Sequence, residues 1–153
     1  MRIILATLTI GLLAGVNSFA DNPSDSQALQ GLWNVEVQQV RFGNATKDVI
    51  PDLRKVTYEI KGNQIIVRHP FLALEPPAWT RTWKFTLRKE KGVRQIDLFG
   101  LDGKYDKGKT RLGIYKIEDD VLHLSLSKGK ERPTQFKATQ PFSAYLKLKR
   151  IKK

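Results

Sequence analysis

Side chains that carry nucleophilic or metal chemistry are scarce in this sequence. The 153 residues contain two histidines, His69 and His123, and no cysteine. Neither histidine is spaced from another potential ligand in the way that a metal site requires. Ser125 is predicted to share a strand face with His123, but neighbouring positions on a face need not touch, and no Gly-x-Ser-x-Gly elbow is present. We therefore expect no catalytic residue, no metal and no cofactor, and we expect His123 to face solvent.

Charged residues offer two further candidates. A set of carboxylates could bind a hard cation, but its members lie in predicted turns among lysines, so we expect solvated turn residues. These are Asp102, Asp106, Glu118, Asp119 and Asp120. Arg132, in a loop shaped by Gly129 and Pro133, is a candidate for contact with an anion, because a guanidinium can hold a carboxylate through two hydrogen bonds. The alternative for Arg132 is a structural role at a strand end.

The segment 69–79, HPFLALEPPAW, is unusual for a loop because it combines large apolar side chains with three prolines. Either it packs down as a hydrophobic plug, or it forms a lid over the mouth of a binding site or a surface for protein contact. Its prolines lower the entropic cost of ordering it on a partner. The candidate lid or contact residues are Phe71, Leu72, Leu74 and Trp79.

Short segments of alternating apolar and polar residues must position these candidates, and this pattern is typical of β-strands. The clearest example places Trp83, Phe85 and Leu87 on one face; another places Trp33, Val35 and Val37 together. The predicted strands are 32–37, 55–60, 64–69, 82–88, 95–99, 112–117, 121–127 and 145–151.

Eight strands joined by hairpin-length links predict an all-β fold, an eight-stranded antiparallel up-and-down barrel. A β-sandwich is the alternative, because strand number and spacing do not separate the two. Only Ser26–Gln30 and Asp48–Leu53, which Pro51 interrupts, suggest a turn of helix.

The N-terminus predicts export. Residues 1–20 combine Arg2, an apolar run of about 14 residues and a Ser18-Phe19-Ala20 cleavage site, whereas a membrane-spanning helix needs about 20 apolar residues. A retained membrane anchor is the weaker interpretation. We expect a signal peptide over 1–20, a polar leader over 21–28 and one domain over 29–153, secreted or periplasmic and without disulfides.

The surface charge is strongly basic. The full chain carries a net charge of +12, and losing Arg2 with the signal peptide leaves +11. This charge favours acidic envelope polymers. Specific nucleic-acid binding is not expected, because the aromatic residues Trp33, Tyr58 and Trp83 are in phase with the apolar faces and are predicted to lie in the core.

The sequence Gly31-Leu32-Trp33 resembles the Gly-x-Trp signature that opens the first strand of lipocalins and their relatives. The resemblance implies that Trp33 closes the barrel floor against an Arg near the chain end, for which Arg150 is the natural candidate. A closer resemblance, over Leu29 to Lys152, is to small uncharacterised secreted bacterial domains described as lipocalin-like. It implies a fold and a compartment but no activity. The segments that carry it are 29–33, 107–115, 129–136 and 146–150.

The chain departs from these relatives at two points. They often have a Cys where Ser125 stands here, and the apolar loop after His69 is longer than usual.

Three functional hypotheses follow. The first is a monomeric, non-enzymatic binding module whose barrel is either packed solid or holds a small apolar ligand. Its candidate ligand-binding residues are Tyr58, Trp83, Phe85, Tyr115 and Arg132. The second is an envelope protein-interaction or inhibitor domain that uses the 70–79 loop and the basic surface, without a ligand cavity. The third and weakest is an enzyme with a polar site around Arg132.

Overall fold

The computed structural model describes residues 23–48, 56–68, 80–103 and 106–152, which form one short helix and nine strands. The elements are α1 (Pro23–Leu29), β1 (Gly31–Phe42), β2 (Ala45–Asp48), β3 (Thr57–Lys61), β4 (Gln64–Arg68), β5 (Thr80–Glu90), β6 (Val93–Gly100), β7 (Thr110–Glu118), β8 (Val121–Ser127) and β9 (Ser143–Arg150). The predicted signal peptide, almost all of the Asp48–Leu53 turn and the 69–79 segment lie outside the described residues. Within those residues, no helix is long and apolar enough to cross a membrane.

The strands form a closed barrel. Each strand from β3 to β8 pairs antiparallel with the next, and β1 pairs with both β3 and β9. Eight strands therefore close the barrel, and β2 is an additional strand that pairs with the far end of β1. The predicted eight-stranded antiparallel up-and-down barrel is confirmed, and the sandwich is excluded because a sandwich would not join its first and last strands in this way.

The interior follows from the alternation along each strand. Trp83, Phe85 and Leu87 of β5 are buried, whereas Lys84 and Thr86 between them are exposed. Cross-strand pairs such as Phe85 with Leu98 and Leu124 with Leu146 stack these inward side chains into one core. This continuous apolar core holds the barrel without disulfides.

One interior position was predicted wrongly. Val37 is 38% exposed instead of sharing the face of Trp33 and Val35, because the β1–β9 register shifts between Val35 and Val37. An extra residue in a strand turns the following side chains to the other face. As a result Gln38, opposite the inward Leu146, points into the barrel.

The two ends of the barrel differ. At one end, tight turns at Gly62–Asn63, Lys91–Gly92 and Asp119–Asp120 join the strands. The connections from β4 to β5, from β6 to β7 and from β8 to β9 leave from the other end, where the turn at Gly43–Asn44 also joins β1 to β2. We call the first end the floor and the second the mouth.

The floor is closed by α1 and by the end of β9. The Arg150 guanidinium lies 4.0 Å from the centroid of the Trp33 ring and donates to the carbonyls of Ala28 at 2.6 Å and Gln30 at 2.5 Å. Trp33 Nε1 donates to the carbonyl of Leu29 at 3.0 Å. These bonds satisfy carbonyls at the helix C-terminus, where a positive charge is also favourable. The pairing of Trp33 with Arg150 thus fastens the helix over the core.

We predict that Arg150→Met lowers the free energy of unfolding by about 2–4 kcal/mol, because two charge-assisted hydrogen bonds and the cation–π contact are lost. Urea unfolding followed by circular dichroism measures the change. The matched control is Lys149→Met, an exposed position on the neighbouring residue, for which we expect a change within about 0.5 kcal/mol. A loss below about 1 kcal/mol for Arg150→Met would show that the floor does not depend on this arginine.

Candidate functional site

A cavity of about 120 Å³ lies inside the barrel on the mouth side. One part of its wall is apolar, and the other part carries two guanidinium groups, an amide and a phenol. The lining residues are Gln38, Tyr58, Ile65, Val67, Arg81, Trp83, Leu98, Arg111, Leu126, Ala144 and Leu146. The mixture of apolar wall and convergent polar groups is typical of small-molecule sites.

Strand alternation directs Arg81 and Arg111 inward. Arg81 stands two residues before Trp83 on β5 and pairs with the buried Val67 of β4. Arg111 pairs with the buried Leu98 and lies with its guanidinium carbon 4.7 Å from the centroid of the Trp83 ring. Both arginines therefore occupy positions on the core side of their strands, next to the mouth.

Asp106 bridges the two arginines. Its Oδ2 accepts from Arg81 Nη1 at 2.9 Å, and its Oδ1 accepts from Arg111 Nη2 at 2.6 Å. The 101–109 loop folds back over Gly100 to bring it there, and a Cβ on Gly100 would lie 2.0 Å from the carbonyl oxygen of Asp106. Only glycine leaves room for this approach. Asp102 fastens the same loop to β5 by accepting from the backbone N–H of Thr82 at 2.7 Å.

The expectation that Asp106 is a solvated turn residue is wrong: its side chain is 2% exposed. Burial by itself raises the pKa of this carboxyl, but the hydrogen bond from Arg111 and the charges of Arg111 and Arg81 outweigh burial, so the pKa lies below its usual value. Asp106 is therefore ionised at neutral pH and neutralises part of the arginine charge.

Two more polar groups face this cluster. Burial raises the pKa of Tyr58 to about 12, against the opposing effects of Arg111 and Arg81, so the phenol keeps its proton. Burial, together with repulsion from Arg111, lowers the pKa of Lys128 below its usual value. Among the described residues, the cavity mouth therefore has three cationic groups at or near it, one carboxylate and one neutral hydroxyl.

The structure places the predicted ligand-binding residues in three different regions. Tyr58 and Trp83 line the cavity. Phe85 and Tyr115 are buried nearer the floor, where the Tyr115 hydroxyl donates to Asp25 of α1 at 3.2 Å. Arg132 does not line the cavity. The candidate lid residues Phe71, Leu72, Leu74 and Trp79 lie outside the described residues.

Arg132 is fully engaged on the outside of the barrel. It donates to the carbonyls of Gly113 at 2.6 Å and Ile96 at 3.3 Å, and it pairs with Asp97 at 2.6 Å. Pro133, next to it, is buried. These contacts hold the 128–142 loop against β6 and β7, so its observed role is structural.

The expectation of a solvent-facing His123 is also wrong, since its side chain is only 15% exposed. His123 is on the outer face, but Phe136 covers it edge-on and the Tyr145 hydroxyl lies 2.8 Å from its Nδ1. Burial, with repulsion from Lys116, lowers the pKa of His123 below its usual value. Within the part of the chain that the structure describes, no three histidine or acidic side chains group closely enough to hold a metal ion.

A second depression is a wider groove of about 530 Å³ on the outer surface along β1 and β9. Its charged groups already have partners: Glu36 lies 3.2 Å from Lys147 and 4.0 Å from Lys149, and Arg150 is held at the floor. The interior cavity is therefore the stronger candidate for a site.

Sequence reasoning did not assign four polar residues to the site: Gln38, Arg81 and Arg111, and Asp106, which was expected to be a solvated turn residue. The sequence does contain a pattern that indicates the two arginines. Arg81 is in phase with the buried Trp83 on β5, and Arg111 is in phase with the buried Tyr115 on β7. A charge in the core phase near a strand end indicates a polar site or an ion pair inside the barrel. Gln38 depends on the bulge and Asp106 on a loop closure, and neither leaves a pattern in the sequence.

We predict that Asp106→Asn lowers the free energy of unfolding at pH 7 by about 1–3 kcal/mol, because two charge-assisted hydrogen bonds lose their ionised acceptor. The lowered pKa of Asp106 adds stability that is present above its ordinary value of 3.8 and is lost as the pH falls through the value in the folded protein. The difference between wild type and Asp106→Asn should therefore shrink on acidification below about pH 4.

Urea unfolding at pH 7 and at several acidic pH values measures this difference. Glu131→Gln, in an exposed part of the 128–142 loop, is the control and should leave stability at pH 7 nearly unchanged. A difference for Asp106→Asn that stays constant with pH would contradict the assignment of an ionised, bridging carboxylate.

Comparison with known proteins adds no further constraint on this site. No protein-family model matches the chain, no curated protein matches it, and no solved structure matches it. The functional argument therefore depends on the geometry of the barrel and its cavity.

Proposed function

We propose that this protein is an exported, non-enzymatic binding module that holds a small, largely apolar molecule in the mouth-side cavity of its barrel. The observation that carries the proposal is the cavity of about 120 Å³ enclosed by the closed barrel between Trp83, Leu98 and Leu126. Barrels of eight strands are at the boundary between a filled interior and one that holds a small ligand.

The size of the cavity limits the ligand. An apolar cavity of roughly 150 Å³ in another protein binds benzene, so a volume of about 120 Å³ fits a body of similar or slightly smaller size. A long hydrocarbon chain would not fit without displacing side chains. Short or compact molecules are therefore the candidates.

The polar part of the lining favours a ligand-binding cavity over a mere packing defect of the core. Covering a guanidinium group with apolar side chains carries a desolvation cost, so a packed core does not normally include one. Arg81 and Arg111, whose side chains are 33% and 16% exposed, nevertheless occupy core-phase positions at the cavity. Export is supported by the N-terminal pattern of residues 1–20, and a non-enzymatic role by the absence from the sequence of a nucleophile–base arrangement.

We predict that the protein binds benzene-sized molecules with a dissociation constant on the order of 0.1–1 mM, as their few heavy atoms permit. The readout is the shift of Trp indole N–H signals in ¹⁵N-correlated NMR spectra, with Trp→Phe variants supplying the assignments. The Trp83 signal should move on titration, whereas that of Trp33, at the floor, should not.

Ala144→Leu, which adds bulk to the cavity wall, should abolish binding. Thr86→Leu adds bulk on the exposed face of β5 and should leave binding unchanged. Binding that survives Ala144→Leu, or a broad panel without saturable shifts at Trp83, would rule out the cavity as the binding site.

A second candidate function is a protein-interaction domain that uses its basic surface and the rim of the mouth, by which we mean the strand ends around Phe42 and Phe142. Two exposed aromatic residues favour it. Phe42 and Phe142 are each 58% exposed. Phe42 follows Arg41 on β1, and Phe142 precedes Ser143 on β9. Because Arg41 and Ser143 are paired, the two aromatic residues lie at the same end of adjacent strands. Phe142 also has a φ of 57°, a backbone conformation that costs a residue with a side chain about 1–2 kcal/mol. Strain at an exposed aromatic is compatible with a contact residue.

We predict that Phe142→Gly raises the free energy of unfolding by about 0.5–1 kcal/mol, because glycine adopts positive φ without strain and little buried area is lost. Lys91→Gly, at a φ of 48° in a floor turn, is the matched control and should produce a similar gain. If Phe142→Gly instead destabilises the protein, Phe142 contributes to the fold. Its exposure would then no longer argue for a protein-contact surface at the rim.

A further inference from the structure

We propose that the ligand of the cavity is a small organic anion whose carboxylate binds between Arg81 and Arg111 while its apolar body contacts Trp83, Leu98 and Leu126. This inference rests on the proposed function, since it names the chemical class of the molecule that the cavity holds. Two observations on the described residues carry it: hydrogen-bond donors at the cavity that have no acceptor among them, and an excess of positive charge there.

The donors come from Arg81 and Arg111. A guanidinium has five N–H donors in a planar fork. Each of these arginines gives one hydrogen bond to Asp106, and Arg111 also stacks on Trp83. Within the described residues, most donors of these two cavity-lining arginines thus have no acceptor. The Tyr58 hydroxyl, on the same wall, has no hydrogen-bond partner within the described part of the chain.

Two other arginines, Arg150 and Arg132, make several hydrogen bonds each to groups of the fold. Arg150 at the floor donates to two carbonyls and stacks on Trp33. Arg132 donates to two carbonyls and to the carboxylate of Asp97. By contrast Arg81 and Arg111 share one carboxylate, although both line the interior. Within the described part of the chain, their remaining donors have no acceptor, which leaves them to an external one.

The charge of the cluster has the matching sign. Arg81 and Arg111 pair with Asp106, and Lys128 is close enough to interact electrostatically with all three, so positive charge exceeds negative charge among the described residues at the cavity mouth. The lowered pKa of Lys128, caused by burial and by repulsion from Arg111, agrees with an environment that disfavours further positive charge. A bound carboxylate would relieve this repulsion, and the planar guanidinium fork matches its geometry.

Asp106 sets the strength of the site. It orients both guanidinium groups, and its negative charge opposes a second anion beside them. Replacing Asp106 by Asn keeps a similar shape and removes the opposing charge. The proposal therefore expects Asp106→Asn to bind anions more tightly even though the protein is less stable, a combination that a purely structural role for the cluster does not produce.

The test compares the binding of three probes to the mature protein in low salt. The shifts of the Trp83 and Trp33 indole N–H signals again report binding. Benzoate carries both the carboxylate and the ring, benzamide keeps the ring without charge, and acetate keeps the carboxylate without the ring. We expect benzoate to bind at least about tenfold more tightly than either of the others, because charge-assisted hydrogen bonds to a desolvated carboxylate are strong. Added salt should weaken benzoate binding and leave benzamide binding unchanged.

Three variants locate the anion. Arg81→Met should weaken benzoate binding about tenfold or more, and Asp106→Asn should tighten it several-fold. Arg88→Met removes the same charge from the outer face of β5, where Arg88 pairs with Asp97, and should change nothing. If Arg81→Met does not fold, Arg81→Lys supplies the same test, because an ammonium cannot reproduce the planar fork and should still weaken binding.

The outcomes separate this inference from the proposed function. Benzamide binding as tightly as benzoate would overturn the anion assignment and leave the cavity as an apolar site. Acetate matching benzoate would keep the anion site and overturn the apolar ligand. Failure of all three probes at millimolar concentration would overturn both, and weaker benzoate binding by Asp106→Asn would contradict the assigned role of Asp106.

Discussion

The pairing of β1 with β9 is the interaction on which the rest of the structure depends. It runs from Trp33 and Arg150 at the floor to Arg41 and Ser143 near the mouth, and it converts a curled sheet into a closed barrel. Closure removes the sheet edges and defines an inside. Every side chain in the inward phase must then be packed or hydrogen-bonded within that space, whether it is apolar or charged.

The floor and the mouth of the barrel both place arginine side chains inward, but they provide hydrogen-bond acceptors for them in different ways. At the floor, Arg150 finds backbone carbonyls that α1 leaves unsatisfied, so the charge is engaged by the fold itself. At the mouth, Arg81 and Arg111 both pair with one described side chain, Asp106, which the loop between β6 and β7 must deliver. The floor arrangement therefore fixes the barrel, whereas the mouth arrangement leaves hydrogen-bonding capacity exposed to the cavity.

The sequence predicts the parts of this architecture that follow from local alternation. Inward residues such as Phe85 and Leu124 repeat every second position, which is sufficient to recognise the strands and the barrel. It does not reveal the bulge before Val37, because an apolar residue there continues the apparent pattern. Nor does it reveal the burial of Asp106, which requires a loop to pack on Gly100 through contacts that no local pattern records.

The bulge and the buried carboxylate together explain why the described residues leave a cavity in the mouth half of the interior. Without the bulge, Val37 would face inward where Gln38 now does, and the cavity wall would lose its amide. The two guanidinium groups cannot be covered by apolar side chains without a large desolvation cost, so the packed core ends below them. The apolar layers around Phe85 and Leu124 can then supply the stability of the barrel, which leaves the polar layer around Arg81 and Arg111 available for a ligand.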